Sequence, residues 1–194
     1  STGVYGYPVE QAARIAVDDF QPRRNQRRAW RRNQDLTVRT VAAGFIEEHF
    51  DLYRRYIGRR HAGGGMDDAD PAKFVSFLCS SWCDTYFHEF RLDGLLIGAT
   101  VVDHLRHGLS AVYTYFEPDF SDRSLGVFAL LYQVEQARRL GLPWVYLGYW
   151  IPECDKMAYK EQYRPLEILR GGEWRRLEPG QAYGTAVEAA PSER

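Results

Sequence analysis

Apolar residues recur along this chain in two rhythms, and the rhythm changes near Asp84. Before that point, steps of three and four dominate. In TVRTVAAGFIEEHFDLYRRYIGRR, the residues Phe45, Ile46, His49, Leu52, Tyr53, Tyr56 and Ile57 fall at those steps, which predicts one amphipathic helix. HAGGGMDDAD interrupts it as a loop. Asp70 followed by Pro71 supplies a cap and a first turn, and Phe74, Phe77 and Leu78 give the helix behind them a buried stripe. After Asp84 the period becomes two. TYFHEFRL, a turn at Asp93-Gly94 and LLIGATVVDHL predict a hairpin, and a turn at Arg106-His107-Gly108 leads to LSAVYTYFEP as a third antiparallel strand. SDRSLGVFALLYQVEQARRLG returns to the helical period. Ser121 or Asp122 caps it, Val127, Leu130, Leu131, Val134 and Ala137 line it, and Gly141 ends it. PWVYLGYWI reads as a strand buried on both faces, ECDKMAYKEQ as a helix, and PLEIL and EWRRL as two short strands. Residues 1–22 read as irregular, and residues 180–194 as a frayed tail.

This succession of helix, helix, three antiparallel strands, helix, strand, helix and short strands resembles the N-acyltransferase (GNAT) fold, an α+β class with a mixed sheet flanked by helices. In that fold the third strand and the strand after the long helix run side by side and then splay. The gap holds an acyl donor and an amine acceptor. Here those strands are AVYTYFEP and VYLGYWI. The expected organisation is a basic segment over residues 1–35, whose start without Met leaves it open to truncation, then a transferase domain over 36–179 and the tail at 180–194.

With 45% apolar and 14% aromatic residues, 194 residues suffice for one sizeable core, which argues against disorder. The net charge of −1 conceals an asymmetry. Between Gln21 and Arg60, eleven Lys/Arg face four Asp/Glu, a local +7. Most of it lies in QPRRNQRRAWRRNQ, where Arg23, Arg24, Arg27, Arg28, Arg31 and Arg32 form three pairs repeating every four residues. On a helix they align along one side and repel one another. A polyanionic partner offsets that repulsion. The competing reading is a basic surface neutralised by acidic residues elsewhere in the fold. Trp30, set among the arginines, can pack beneath them or stack on a base.

Cys79, Cys83 and Cys154 make no disulfide framework, and their odd number fits a reducing compartment. Cys79 and Cys83 lack a second ligand pair at metal spacing, so they read as core thiols and no metal is expected. No apolar run approaches the ~20 residues of a membrane helix, and no signal peptide is visible. The expectation is a cytoplasmic protein with no membrane partner.

A longer pattern is more specific. SLGVFALLYQVEQARRLGLPWVYLGYWIPECDKMAYKEQYRPLEIL carries RSLG, YLGYWI, C-x-KM-x-YK and QYRP, preceded by FQPRRNQRR, GGGM and GLSAVYTYFEPDF. Over residues 15–177 the chain resembles the aminoacyl-tRNA-protein transferases, that is, the arginyltransferases and their bacterial aspartate/glutamate leucyltransferase relatives. The resemblance implies transfer of leucine from Leu-tRNA to the N-terminal α-amine of proteins that begin with Asp or Glu, marking them for degradation. It implies Leu-tRNA and such proteins as partners; for this chain no cofactor is expected. The family's Cys-rich motif falls where this chain reads GYPVEQAARI, without cysteine, which puts any metal or iron-sulfur centre in doubt. Three alternatives stand beside this reading: an arginine donor, a coenzyme A-dependent N-acetyltransferase, and a tRNA-binding module without catalysis.

An aminoacyl ester is already activated and an α-amine has a pKa of about 7.7–8.0, so no catalytic triad is required. Lys156, Lys160 and Arg164 are spaced by four and follow the strand that flanks the gap; on a helix they would share a face and hold the acceptor carboxylate. The bland reading is a solvated basic face, and the match around KMAYK and YRP favours function. Tyr159 and Tyr163 interleave with them, as hydrogen-bond donors, as proton relays or as packing. In FEPDF, Asp119 is assigned to orienting or deprotonating the acceptor ammonium, and Glu117 to turn chemistry. Tyr113, Tyr115, Phe116, Tyr149 and Trp150 give the two strands an aromatic lining, of which Tyr115 and Tyr149 are expected to touch substrate. Arg123, Ser124 and Gly126 open the long helix and can take a phosphate of the tRNA's terminal nucleotides. Phe128 stands where acetyltransferases of this fold carry a small residue, which counts against coenzyme A. Glu89 reads as an outward-facing strand residue and His49 as a half-buried helix residue.

Overall fold

The computed structural model describes residues 12–60, 70–79, 83–149 and 155–178; the side chains of 149 and 155–158 lie outside that description. So do the HAGGGMDDAD stretch up to residue 69, Trp150, Cys154 and the tail from 179. The strands are β1 (Ala12–Ala16), β2 (Thr37–Ala42), β3 (Asp84–Leu92), β4 (Leu95–His104), β5 (Gly108–Phe116), β6 (Trp144–Tyr149), β7 (Leu166–Arg170) and β8 (Glu173–Arg176). The helices are α1 (Arg24–Arg32), α2 (Glu47–Arg60), α3 (Pro71–Leu78) and α4 (Leu125–Arg139), with 3-10 turns at Pro118–Arg123 and Asp155–Gln162. One mixed sheet runs in the order β2-β3-β4-β5-β6-β1-β7-β8, and β5 with β6 is its parallel pair. This is the expected α+β class, with helices on both faces of a mixed sheet.

Local chemistry explains the predicted elements. Asp93 and Gly94 both take positive φ, 49° and 85°, which is the two-residue turn that matches strand twist, so β3 and β4 close as a hairpin. The Asp70 carboxylate accepts the Ala72 N–H at 2.8 Å and Pro71 opens the first turn of α3. Gly141, at φ 70°, lets the chain leave α4.

Five expectations are corrected. Thr37–Ala42 is strand rather than helix; it pairs with β3, and its β-branched residues suit a sheet edge. Ala12–Ala16 is not irregular. It lies inside the sheet between β6 and β7, with Ala13 and Ile15 fully buried, so the described part of the basic segment 1–35 is integral to the domain. Arg14, in that strand, stacks on Trp144 and pairs with Glu167 at 2.8 Å. Ser121 and Asp122 sit in a 3-10 turn, and α4 begins after Ser124, whose φ is 55° and whose side chain caps nothing. β6 alternates, with Val145 and Leu147 buried but Trp144 and Tyr146 half-buried. Asp155–Gln162 is 3-10, so its side chains repeat every three residues rather than every four.

α2 and α3 cover one face of the sheet through Leu52, Tyr56, Phe74, Phe87 and Tyr115. On the other face, Leu130, Leu131 and Val134 of α4 pack on Leu109, Val145 and Ile15. Where the two layers meet, the sheet opens. β5 and β6 pair at Gly108 with Trp144, Leu109 with Val145 and Ser110 with Tyr146. β5 then continues to Phe116 and β6 to Tyr149 without further pairing to each other. Opposite β4, Val101 pairs with Tyr113 and Val102 with Ala111, so Val112 is an extra, bulged residue. Among the described residues no helix is long and apolar enough to cross a membrane.

Candidate active site

The splay of β5 from β6 leaves a cavity of about 380 Å³. β5 supplies Ala111, Val112, Tyr113 and Thr114 to its wall, and α4 supplies Gly126, Val127 and Leu130. Tyr56 and Arg60 reach it from α2, and Asn25 and Gln26 from α1. Tyr159 and Gln162 of the second 3-10 turn, with Tyr163 beside them, complete it. The Gln26 amide donates to the Gln162 carbonyl at 3.0 Å, which ties α1 to that turn.

Three features give the cavity chemistry. First, it holds hydroxyl donors. Burial, with Tyr56 and Tyr53 beside it, pushes the Tyr113 hydroxyl up to about 12, so it is protonated throughout the neutral range. Burial also raises Tyr163, which is 2% exposed and stacks on Phe20. Second, the bulge at Val112 frees backbone from the β4-β5 ladder beside Tyr113. Third, α4 opens onto it. The first-turn N–H groups of a helix have no intrahelical acceptor, and Ser124 caps none of them. Gly126 sits there with open space where a β-carbon would lie. Among the described lining residues Arg60 is the one charged side chain, and none is a carboxylate.

The comparisons with known proteins agree with this geometry. Residues 48–170 match the family described as Arginine-tRNA-protein transferase, C terminus. The chain is 52% identical over 167 residues to the aspartate/glutamate leucyltransferase of Chromobacterium violaceum, covering 86% of this chain and 69% of that one. It is 53% identical over 169 residues to the protein of the same name from Stenotrophomonas maltophilia, covering 84% and 67%. The chain belongs to the arginine-tRNA-protein transferase family.

The fold of this transferase is shared more widely. The C-terminal domain of a putative lysylphosphatidylglycerol synthetase from Agrobacterium fabrum superposes with a TM-score of 0.53 at 14% identity, over 72% of this chain and 46% of that one. L-PGS from Bacillus licheniformis gives 0.51 at 10%, over 72% and 45%.

Not every predicted residue comes to the cavity. Tyr159, Tyr163 and Gly126 do. Tyr115 does not: it is fully buried, its hydroxyl 2.7 Å from His49 Nδ1, and Tyr53 and His49 cover it. Tyr113, two residues earlier, takes the position expected of it. Asp119 is exposed in the 3-10 turn after β5 and is not among the lining residues. Glu117 pairs with Arg55 at 2.9 Å. Tyr149 pairs with Ala12 through its backbone, and its side chain, like that of Lys156, lies outside the described residues. Lys160 is 3% exposed rather than on a solvated face. Arg164 lies past the 3-10 turn and donates to the Glu161 and Glu178 carbonyls. Lys160 and Arg164 therefore do not share a solvated basic face.

At the start of α4, Arg123 is held by Asp35 in a two-pronged pair at 2.8 and 2.9 Å rather than turned to an incoming phosphate. The Phe128 ring is 2% exposed and packs on Trp30 and Phe90, so it does not bar an approach to the cavity. The ladder does form a helix. Gln26 and Ala29 of α1 face inward, and Arg23, Arg24, Arg27, Arg28, Arg31 and Arg32 are all exposed. Arg27 and Arg32 also donate to the Pro22 and Asp122 carbonyls. A second cavity, of about 550 Å³, lies along the other flank of α1, between Arg27, Trp30 and Arg31 on one side and Leu131, Val134 and Arg138 on the other.

Sequence reasoning missed Tyr56 and Arg60 as site residues, since both fit the helical pattern of α2. It also misplaced Glu89 and His49. Glu89 is 2% exposed, and His49 is fully buried against it.

Proposed function

We propose that this transferase moves leucine from Leu-tRNA to the α-amine of proteins that begin with Asp or Glu, in the cytoplasm. The observation that carries the reading is the splayed-strand cavity, whose described walls bear Ala111, Val112, Val127 and Leu130 and no carboxylate. Apolar walls suit a leucyl side chain, whereas an arginyl donor would bring a guanidinium in need of an anion. The relatives named aspartate/glutamate leucyltransferase support the same donor and acceptor.

In this scheme the exposed arginines of α1 lie along the tRNA phosphates, giving affinity with little sequence reading. The open first turn of α4 suits a phosphate near the 3′ end. The ester carbonyl sits in the gap. An α-amine with a pKa of about 7.7–8.0 is partly neutral at pH 7 and attacks the carbonyl carbon. The C–N bond forms as the C=O π bond opens, and the carbonyl oxygen becomes an oxyanion that the Tyr113 hydroxyl or the bulged backbone can stabilise. The C–O bond to ribose then breaks. The leaving ribose oxygen takes a proton that came from the ammonium, relayed by the neighbouring ribose hydroxyl. No side-chain base is needed.

The test is transfer of radiolabelled leucine from Leu-tRNA to peptides beginning with Asp, Glu, Arg or Ala, with Arg-tRNA and acetyl-coenzyme A run in parallel. The expected result is product from Leu-tRNA on the Asp and Glu peptides alone. Product from Arg-tRNA alone would overturn the donor, and product from acetyl-coenzyme A alone would overturn the reaction class.

A further inference from the structure

An acceptor's first side chain is attached to the same carbon as its reacting amine. Whatever reads that side chain must therefore stand within a few ångströms of the ester carbonyl, in the wall of the cavity itself. The six arginines of the ladder are not among the described lining residues; α1 lines the cavity with the uncharged Asn25 and Gln26 instead. Lys160 is buried, and Arg164 donates to backbone carbonyls. Arg60 is the charged side chain that the described lining contains.

We infer that Arg60, steadied by Tyr56, is the specificity residue that recognises the carboxylate of the acceptor's N-terminal Asp or Glu. The inference rests on the acceptor class proposed above. Arg60 ends α2, one turn after Tyr56 and therefore on the same side of the helix. Its guanidinium donates to the Tyr56 hydroxyl and lies 5.3 Å from the centre of that ring. A guanidinium has five N–H donors, so one bond to Tyr56 orients it and leaves a fork for a carboxylate. Tyr56 packs on Phe116 of β5, which fixes the pair to the strand that carries Tyr113. Arg60 is exposed at the rim of the cavity, where an incoming chain can reach its free N–H groups, and the buried Tyr56 ring beneath it holds it there. Arg60 stands on α2, across the sheet from α1, and so is separate from the phosphate-facing ladder.

The experiment compares peptides beginning with Asp and Asn, which differ only in charge, on wild type, Arg60→Ala and Arg60→Lys. Transfer of leucine gives kcat/KM for each, and fluorescence anisotropy gives peptide binding without any donor. The wild type should favour Asp, and Arg60→Ala should shrink that preference roughly tenfold or more. Arg60→Lys, keeping the charge, should retain part of it. The salt dependence of tRNA binding should not move in either variant. An unchanged Asp/Asn ratio in Arg60→Ala overturns the assignment while leaving the proposed reaction intact. A shifted salt dependence with an intact ratio also overturns it and makes Arg60 a phosphate ligand. A wild type that neither binds nor uses Asp peptides in preference to Asn peptides overturns both the acceptor class and the assignment.

Discussion

Nε2 of His49 lies 2.7 Å from Oε2 of Glu89 in the protein interior, where the two residues are 0% and 2% exposed. An ionised carboxylate only accepts, so Nε2 carries the proton and Nδ1 accepts from the Tyr115 hydroxyl. Arg91 completes the cluster by donating to both Glu89 and Glu48. The arrangement clamps α2 to β3 and β5. Glu89→Ala would strand a buried imidazole and part of a guanidinium, so it should cost about 3–5 kcal/mol in urea denaturation. A cost below about 1 kcal/mol would mean the cluster contributes nothing net.

This cluster and His88, which packs on Tyr132, make stability depend on acid. Burial lowers the His49 imidazole despite the Glu89 hydrogen bond, and burial, with His104 nearby, lowers His88 to about 4. Both histidines protonate more readily when unfolded, so the unfolded state binds more protons as pH falls below about 6.5. Their stability contribution is present above that pH and lost on the way down. Glu89 has a further effect: burial raises its carboxyl, but the Arg91 and His49 hydrogen bonds outweigh it and hold it low. That contribution is lost below the ordinary carboxylate value of about 4. Melting temperature should therefore fall from pH 7 to pH 4 and more steeply below. His88→Leu should flatten the upper part by roughly 3 kcal/mol. An equal slope in that variant would refute the assignment to His88.

Gly108 begins the short run in which β5 and β6 pair, and a β-carbon there would overlap the Trp144 carbonyl oxygen and the Tyr146 ring. Gly108→Ala must push the two strands apart at their closest point. The expected cost is about 1–3 kcal/mol, with a larger loss of transfer activity, because the gap widens from its hinge. Urea titration and leucine transfer on the same preparation check this. An unchanged midpoint would argue against the close approach.

The reach of the sequence has a physical boundary. The β3-β4 hairpin and α4 were legible because Asp93-Gly94 and the stripe through Leu130, Leu131 and Val134 are local signals. β2 was not, because Val38 and Val41, three apart, mimic a helical stripe running into Phe45 and Ile46. β1 is five residues long and its pairing with β6 and β7 spans most of the chain. The gap could be placed from the order of elements, but its lining could not. Tyr113 and Tyr115 share the period-two side of β5, and only the packing of His49 and Tyr53 decides which one is covered. Arg60 becomes a site residue through the packing of α2 on β5, which no short motif records.

The α1 arginines and Arg123 should behave differently toward tRNA. Arg27 and Arg31 are exposed on one row of α1, whereas Arg123 is 18% exposed and paired with Asp35. Arg27→Ala with Arg31→Ala should weaken binding and lower the slope of log affinity against log salt by about 1 to 2. Arg123→Ala should leave that slope alone. A double-mutant cycle with Asp35→Ala should return a coupling of about 0.5–1 kcal/mol, since Asp35 is half-exposed. A slope lost in Arg123→Ala instead would return that residue to the phosphate.

Tyr113 tests the chemistry itself. Its hydroxyl, pushed up to about 12 by burial and the neighbouring Tyr56 and Tyr53, stays a donor at every working pH and cannot serve as the base. Tyr113→Phe should lower kcat on the order of 10²-fold if it supplies the oxyanion bond, with the KM for Leu-tRNA unchanged. Wild-type kcat/KM should rise with pH along a single limb near the α-amine value of about 7.7–8.0. Because that limb belongs to the acceptor, peptides whose α-amines have lower pKa values should move it down by the same amount. A limb that stays fixed when the acceptor changes would identify a group of the enzyme as the base, and the unassisted amine would have to be given up.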